Sequence, residues 1–265
     1  MRAVVMRNAK LVVEDVPSPI PEQGEVLVKT LACGICGSDL HTLDFAHKIA
    51  EAAQGADASE GTNVPDSMDM SGDVIMGHEF CAEVLAHGPG TTGQIKVGTR
   101  VCSVPILPRQ SGVTAIGYSS EVPGGYSEQM VLSEPMLLEV PNGLSSEMAA
   151  LTEPMAVGCH AVEMARLKGD ELPLVIGCGP VGLAVIAALK LKGIGPIVAS
   201  DYSSARRQLA ETMGADIIVD PSKSSPYEKW SELATHGVDG ETLPPDFLTG
   251  MPGLRTGVYF ECVGV

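Results

Sequence analysis

The sequence predicts an α/β protein in two parts: a β-rich domain over residues 1–150 and a doubly wound, parallel-sheet domain over residues 151–265. Three observations predict it. Short β-branched runs punctuated by Pro and Gly fill the first part. Strands and helices alternate through the second, the pattern of a parallel sheet covered by helices on both faces. A glycine-spaced turn, "GCGPVG", stands between one of those strands and the helix that follows.

In chain order, "AVVM", "KLVVEDV" and "GEVLVKTLACGI" read as strands, and "CAEVLAHG", "GTRVCSVPI" and "SEQMVLSE" continue the series. Within this half only Leu43 to Gln54, "LDFAHKIAEAAQ", has apolar residues at helical spacing. Gly55 to Asp73 is acidic, polar and turn-rich and reads as an exposed loop. The pattern changes near Ser145, where "SSEMAALTEPMAVGCHAVEMARL" reads as one helix capped by Ser145 or Ser146. Then follow strand "LPLVIGC", helix "PVGLAVIAALKLKG", strand "PIVASD", helix "SSARRQLAETMG", strand "ADIIVD", helix "SPYEKWSELATHG" and a last strand, "GVYFECVGV".

The totals bound the function. Aromatic residues make up 4% of the 265, so the core must be mainly aliphatic. Seventeen basic against 33 acidic side chains leave a net charge of -16, which argues against nucleic acid and anionic membranes as partners. "MRAVVMRNAK" lacks the apolar stretch of a signal peptide. The most apolar region, Leu172 to Leu191, is interrupted by glycines and Pro180, which suits a strand–turn–helix and not a membrane span. Seven scattered cysteines without a secretory signal predict reduced thiols in the cytoplasm.

In the "GCGPVG" turn, Gly177, Gly179 and Gly182 have G-x-G-x-x-G spacing, with Pro180 and Val181 opening the helix. The first glycine permits the tight turn, the second lets backbone approach a pyrophosphate, and the third lets helix and strand pack closely. About 20 residues on, the next strand ends at Asp201, whose carboxylate suits a ribose hydroxyl and repels a 2′-phosphate. NAD is therefore expected over NADP, with Arg206 and Arg207 close enough in sequence to accommodate a phosphate. The plainer alternative is an ordinary βα turn, with Asp201 capping the next helix.

"LACGICGSDLH" places Cys33 and Cys36 at C-x-x-C spacing. A four-thiolate zinc site needs a second such pair, and the remaining cysteines are singletons. A redox pair belongs at a strand–helix junction of a βαβ fold, whereas this pair lies among strands. The third option is an open zinc site, which needs three protein ligands and a free position. Cys36, His78 and one glutamate, Glu79 or Glu153, provide them.

"CGICGSDLH", "GHEF", "EPMAVGCHAV" and "VIGCGPVGLAVI", in this order and spacing, resemble the zinc-dependent medium-chain alcohol dehydrogenases, most of all the sorbitol and butanediol branch. The resemblance spans the chain apart from the loop around residues 55–73. It implies a GroES-like catalytic domain followed by a Rossmann domain, and hydride transfer from an alcohol or polyol to NAD. It makes Cys36 and His78 zinc ligands, with Cys33 as a second cysteine ligand the alternative. Glu79 and Glu153 compete for the third place. Asp39 becomes the carboxylate behind the metal site, and Ser38 and His41 a proton relay. One catalytic zinc is expected and no structural zinc, because Lys96 to Tyr126 contains only Cys102. Members of this family often form homo-oligomers through the dinucleotide domain's sheet edge, the edge this sequence is expected to lack, so the resemblance leaves the oligomeric state open. The fourth strand of a six-stranded order stands at Val265, so the sheet is expected to be incomplete. A non-catalytic zinc- and nucleotide-binding remnant is the alternative function.

Overall fold

A computed structural model describes residues 1–44, 72–110, 112–237 and 240–263. The chain divides into two compact units, Met1–Glu153 and Pro154–Val265.

In the first unit β1 (Arg2–Arg7) and β2 (Lys10–Asp15) pair as a hairpin with Arg7 opposite Lys10. Asn8 and Ala9 between them have φ of 51° and 57°, the left-handed pair that matches strand twist in a two-residue turn. The main sheet is antiparallel. It combines β3 (Glu25–Cys33), β4 (Phe80–His87), β5 (Arg100–Ser103), β8 (Gln129–Ser133) and β9 (Leu137–Glu139) in the order β8-β3-β4-β5-β9. Period-two alternation points Val26, Val28, Phe80, Ala82 and Val84 into an aliphatic core with Val101, Met130 and Leu132. Cys81 and Cys102 face the other way, against Ala149 and Ala150.

A second hairpin, β6 (Ile106–Arg109) with β7 (Gly112–Ala115), is absent from the sequence-based series. Pro108 reads locally as a breaker, but a two-stranded ribbon has an outer edge where its missing N–H costs nothing. Residues 37–44 are helical (α1), and the rest of the helix expected to Gln54 lies outside the described residues, as does most of the 55–73 loop.

The single helix expected from Ser145 onward is two. Ser145 caps α2 (Ser146–Ala150) by accepting from Met148 N at 3.2 Å, and α3 (Thr152–Met164) follows Leu151. The break has a cause: Pro154 has no N–H to donate to Ala150, so the helical ladder cannot run through.

The second unit is a four-stranded parallel sheet in the order β12-β11-β10-β13. Its strands are β10 (Leu172–Ile176), β11 (Val198–Ser200), β12 (Ile217–Val219) and β13 (Gly257–Glu261). In terms of position along the chain the order is 3-2-1-4, as in doubly wound folds. Residues of α3, α4 (Pro180–Leu191) and α5 (Ser204–Met213) bury one face, among them Val162, Val185, Ile186 and Ala210. Trp230 and Leu233 of α6 (Pro226–Ala234) pack the other against Leu174, Val198 and Val219.

Candidate metal centre and dinucleotide loop

β3 ends at Cys33, and the chain turns at once into α1. Asp39 closes that turn: Oδ2 accepts from Cys36 N at 2.9 Å, and Asp39 N donates to Cys36 O at 3.2 Å. His78 and Glu79 stand just before β4, and Gly34 N donates to Glu79 O at 2.7 Å, which ties the two segments together. As a result a ligand atom from each of Cys36, His78 and Glu79 lies within 4.8 Å of the others. Sulfur, nitrogen and carboxylate oxygen together suit zinc, and do not suit the all-oxygen preference of magnesium or calcium.

Asp39 is 1% exposed and His78 is 6% exposed. His78 Nδ1 and Asp39 Oδ1 face one another at 3.5 Å, both buried and neither in a hydrogen bond. This arrangement leaves the imidazole Nε2 for a metal and places a carboxylate to receive Nδ1–H. Burial pushes the Asp39 carboxyl up, but His78, the Tyr126 hydroxyl (2.8 Å) and the Cys36 amide outweigh it and hold its pKa low. Burial disfavours the charged His78 ring, yet Asp39 and the Cys36 thiol raise its pKa to about 9. A metal cation at the same place gains from the same negative surroundings.

Cys33 is not in the ligand group. Burial first and the Asp39 charge second push its thiol up to about 12, and Sγ lies 3.5 Å from Gly34 O. Glu153, in the first turn of α3, is also outside the group. It is near enough to feel His78 and Glu79, and burial raises its pKa. Ser38 and His41 are exposed on α1, three residues apart and so on one helix face.

Two tyrosines escaped the sequence reading. Tyr126 bonds Asp39, and Tyr118 donates to Ser38 Oγ at 2.5 Å while its ring lies 5.0 Å from that of His78. The signal available was "GYSSEVPGGY": two of five tyrosines in a glycine-rich decapeptide of an aromatic-poor chain.

In the second unit Gly177 N donates to Ser200 O at 2.8 Å, and Gly179 caps α4. A Cβ on Gly182 would sit 1.9 Å from Gly177 O, so that glycine is required by the fold's own packing. A Cβ on Gly179 would meet nothing within 4 Å, and its φ of -72° suits any residue. The protein's own packing therefore does not require glycine there, and the space in front of it stays open. Pro180 and Val181 form the first turn of α4, whose N-terminal amides face that space.

Asp201 follows β11. Its oxygens accept from Cys178 N at 2.8 Å and from Ser203 N at 2.7 Å, so it pins the glycine turn and starts α5. Arg206 Nη1 stands 3.8 Å from Asp201 Oδ2. Arg207 turns away to Asp220 at 2.9 Å and to the carbonyls of Asp201 and Tyr202.

Comparison with known proteins agrees with this architecture. A family model for the alcohol dehydrogenase GroES-like domain matches residues 22–142, and one for zinc-binding dehydrogenase matches residues 180–265. (R,R)-Butanediol dehydrogenase of Bacillus subtilis (strain 168) is 38% identical over 84% of this chain and 64% of its own length. Sorbitol dehydrogenase of the same organism is 30% identical over 100% of this chain and 75% of its own length. The crystal structure of 2R,3R-butanediol dehydrogenase from Bacillus subtilis superposes with a TM-score of 0.69 at 30% identity. That match covers 99% of this chain and 78% of the other. The chain therefore spans between 64% and 78% of the length of these relatives. With a GroES-like domain followed by a Rossmann-type domain, the chain belongs to the zinc-dependent alcohol dehydrogenase family.

Proposed function

We propose that the chain oxidises a small alcohol or polyol by hydride transfer to NAD, with one zinc held by Cys36, His78 and Glu79. The convergence of these three side chains in front of the buried Asp39–His78 pair carries the reading. Held there, a zinc ion would have its charge offset by the Cys36 thiolate and the Glu79 carboxylate, with the neutral His78 imidazole as the third holder. Such a zinc would supply Lewis-acid chemistry that makes the substrate hydroxyl easier to deprotonate.

The remaining work belongs to the protein's own groups. Asp39 fixes the tautomer and orientation of His78. Glu153, whose pKa burial raises, is the alternative carboxyl for that third place. Ser38 Oγ accepts the substrate's hydroxyl proton while passing its own onward, and His41 is the next acceptor on the same helix face. Gly179 leaves room for the pyrophosphate beside Pro180, Val181 and the α4 amides. Asp201 accepts from the adenosine ribose, which favours NAD over NADP, and Arg206 flanks it. Seven free thiols suit a reducing cytoplasm. No helix among the described residues is long and apolar enough to cross a membrane.

The test is metal content with hydride transfer. One zinc per chain, lost in Cys36→Ala, together with NADH formation from 2,3-butanediol or sorbitol, is the expected result. A folded chain that binds no zinc from solution overturns the proposal.

A further inference from the structure

The Ser38 hydroxyl is not left to orient itself. Tyr118 Oη donates to Ser38 Oγ at 2.5 Å, across 80 residues of chain. The tyrosine is itself firmly held. Its ring lies 5.0 Å from the His78 ring at an interplanar angle of 34°. The preceding residue, Gly117, has φ of +86°, and a Cβ there would sit 2.9 Å from Gly77 O, so its backbone packs directly on the residue before His78. Gly124 N, Gly125 N and Tyr126 N donate to Ile75 O, Gly77 O and Met76 O at 2.8, 2.7 and 2.9 Å. The segment carrying Tyr118 is thus laced to the segment carrying His78.

A serine oxygen has one proton and two acceptor sites. With Tyr118 occupying one acceptor site, a single site remains for an incoming hydroxyl, and the serine's own proton must point elsewhere. We propose that Tyr118 is a positioning residue that sets the direction of proton transfer through Ser38. It keeps Ser38 as acceptor toward the substrate and donor away from it. The serine gains one proton as it loses one and stays neutral throughout. This rests on the dehydrogenase reading of the site, and its test has an arm that does not.

The experiment is a double-mutant cycle with Tyr118→Phe, Ser38→Ala and the double variant, on the zinc-loaded full chain with NAD and 2,3-butanediol. Tyr118→Phe keeps the ring against His78 and removes only the donor. Its kcat is expected to fall about 3- to 10-fold, the scale of one hydrogen bond, with metal content and KM for NAD unchanged. In the Ser38→Ala background the same change is expected to do nothing further. Additive losses overturn the proposal and leave the dehydrogenase reading intact. The second arm labels tyrosine at Cζ with 13C and follows the Tyr118 resonance, identified by its loss in Tyr118→Phe. Ser38→Ala is expected to shift it, and an unmoved resonance overturns the proposal even in a chain that turns over no diol.

Discussion

Asp39→Asn is the sharpest perturbation of the candidate metal centre, because the structure dictates how the new amide must sit. Asp39 Oδ2 accepts from two donors, Cys36 N at 2.9 Å and the Tyr126 hydroxyl at 2.8 Å. Only the carbonyl oxygen of the introduced asparagine can take that place, since an NH2 there would face two donors. The NH2 must then occupy the place of Oδ1, 3.5 Å from His78 Nδ1. A donor there forces Nδ1 to accept and moves the ring proton to Nε2, the nitrogen a metal needs bare. The fold keeps its two hydrogen bonds while the histidine presents the wrong tautomer. Loss of such a partner typically costs 10- to 100-fold in metal affinity, about 1.4 to 2.8 kcal/mol. Zinc affinity by competition with a fluorescent chelator reads this directly, with the thermal midpoint of the metal-free protein as control. An affinity within twofold of the parent, with an unchanged midpoint, would refute the assignment of Asp39 to His78.

Other expectations follow from packing and charge. Gly182→Ala puts a Cβ 1.9 Å from Gly177 O and is expected to cost about 1 to 3 kcal/mol, read by urea unfolding. Gly179→Ala meets nothing within 4 Å, so it should unfold like the parent yet bind NAD at least tenfold more weakly by calorimetry; unchanged affinity would remove the pyrophosphate from that turn. Arg109 holds Glu25, 2% exposed, through Nε at 2.7 Å and Nη2 at 3.2 Å. Arg109→Met leaves that carboxylate buried without its cation and is expected to lose about 3 to 5 kcal/mol in denaturant unfolding. Glu134 accepts from Thr92 N, Thr92 Oγ1 and Gly93 N at 2.6, 3.1 and 2.8 Å, and the Thr92 amide foremost holds its carboxyl below the usual glutamate value. A depressed carboxyl contributes stability that is present above its unfolded value and lost as pH falls through its folded one. Glu134→Gln should therefore narrow the gap in urea midpoint between pH 7 and pH 3, and an unaltered gap would count against it.

The second unit was legible because its signals are local. β10 and β12 are short aliphatic runs, and Ser203 and Gly214 bracket α5 as such residues do. The candidate metal-binding residues were visible as residue types at suggestive spacings. Spacing could not choose between Glu79 and Glu153, because that depends on how the segment before β4 meets the start of α1, a contact between distant stretches. The tyrosines were invisible for the same reason: Tyr118 and Tyr126 reach Ser38 and Asp39 from 80 and 87 residues away, with no periodicity to announce it. The break before α3 was readable from Pro154, but the continuous apolar pattern on either side concealed it.

Asp201 holds one further consequence, for anyone redesigning coenzyme preference. The obvious route to NADP is to exchange this carboxylate for a small neutral residue and let Arg206 and Arg207 greet the extra phosphate. Yet Asp201 also receives the Cys178 amide, so the same exchange unclasps the turn on which the pyrophosphate is proposed to rest. Arg207, moreover, is already committed to Asp220. A single substitution is thus expected to loosen that turn for either coenzyme before it favours one. A working switch must therefore first supply a new acceptor for Cys178 N.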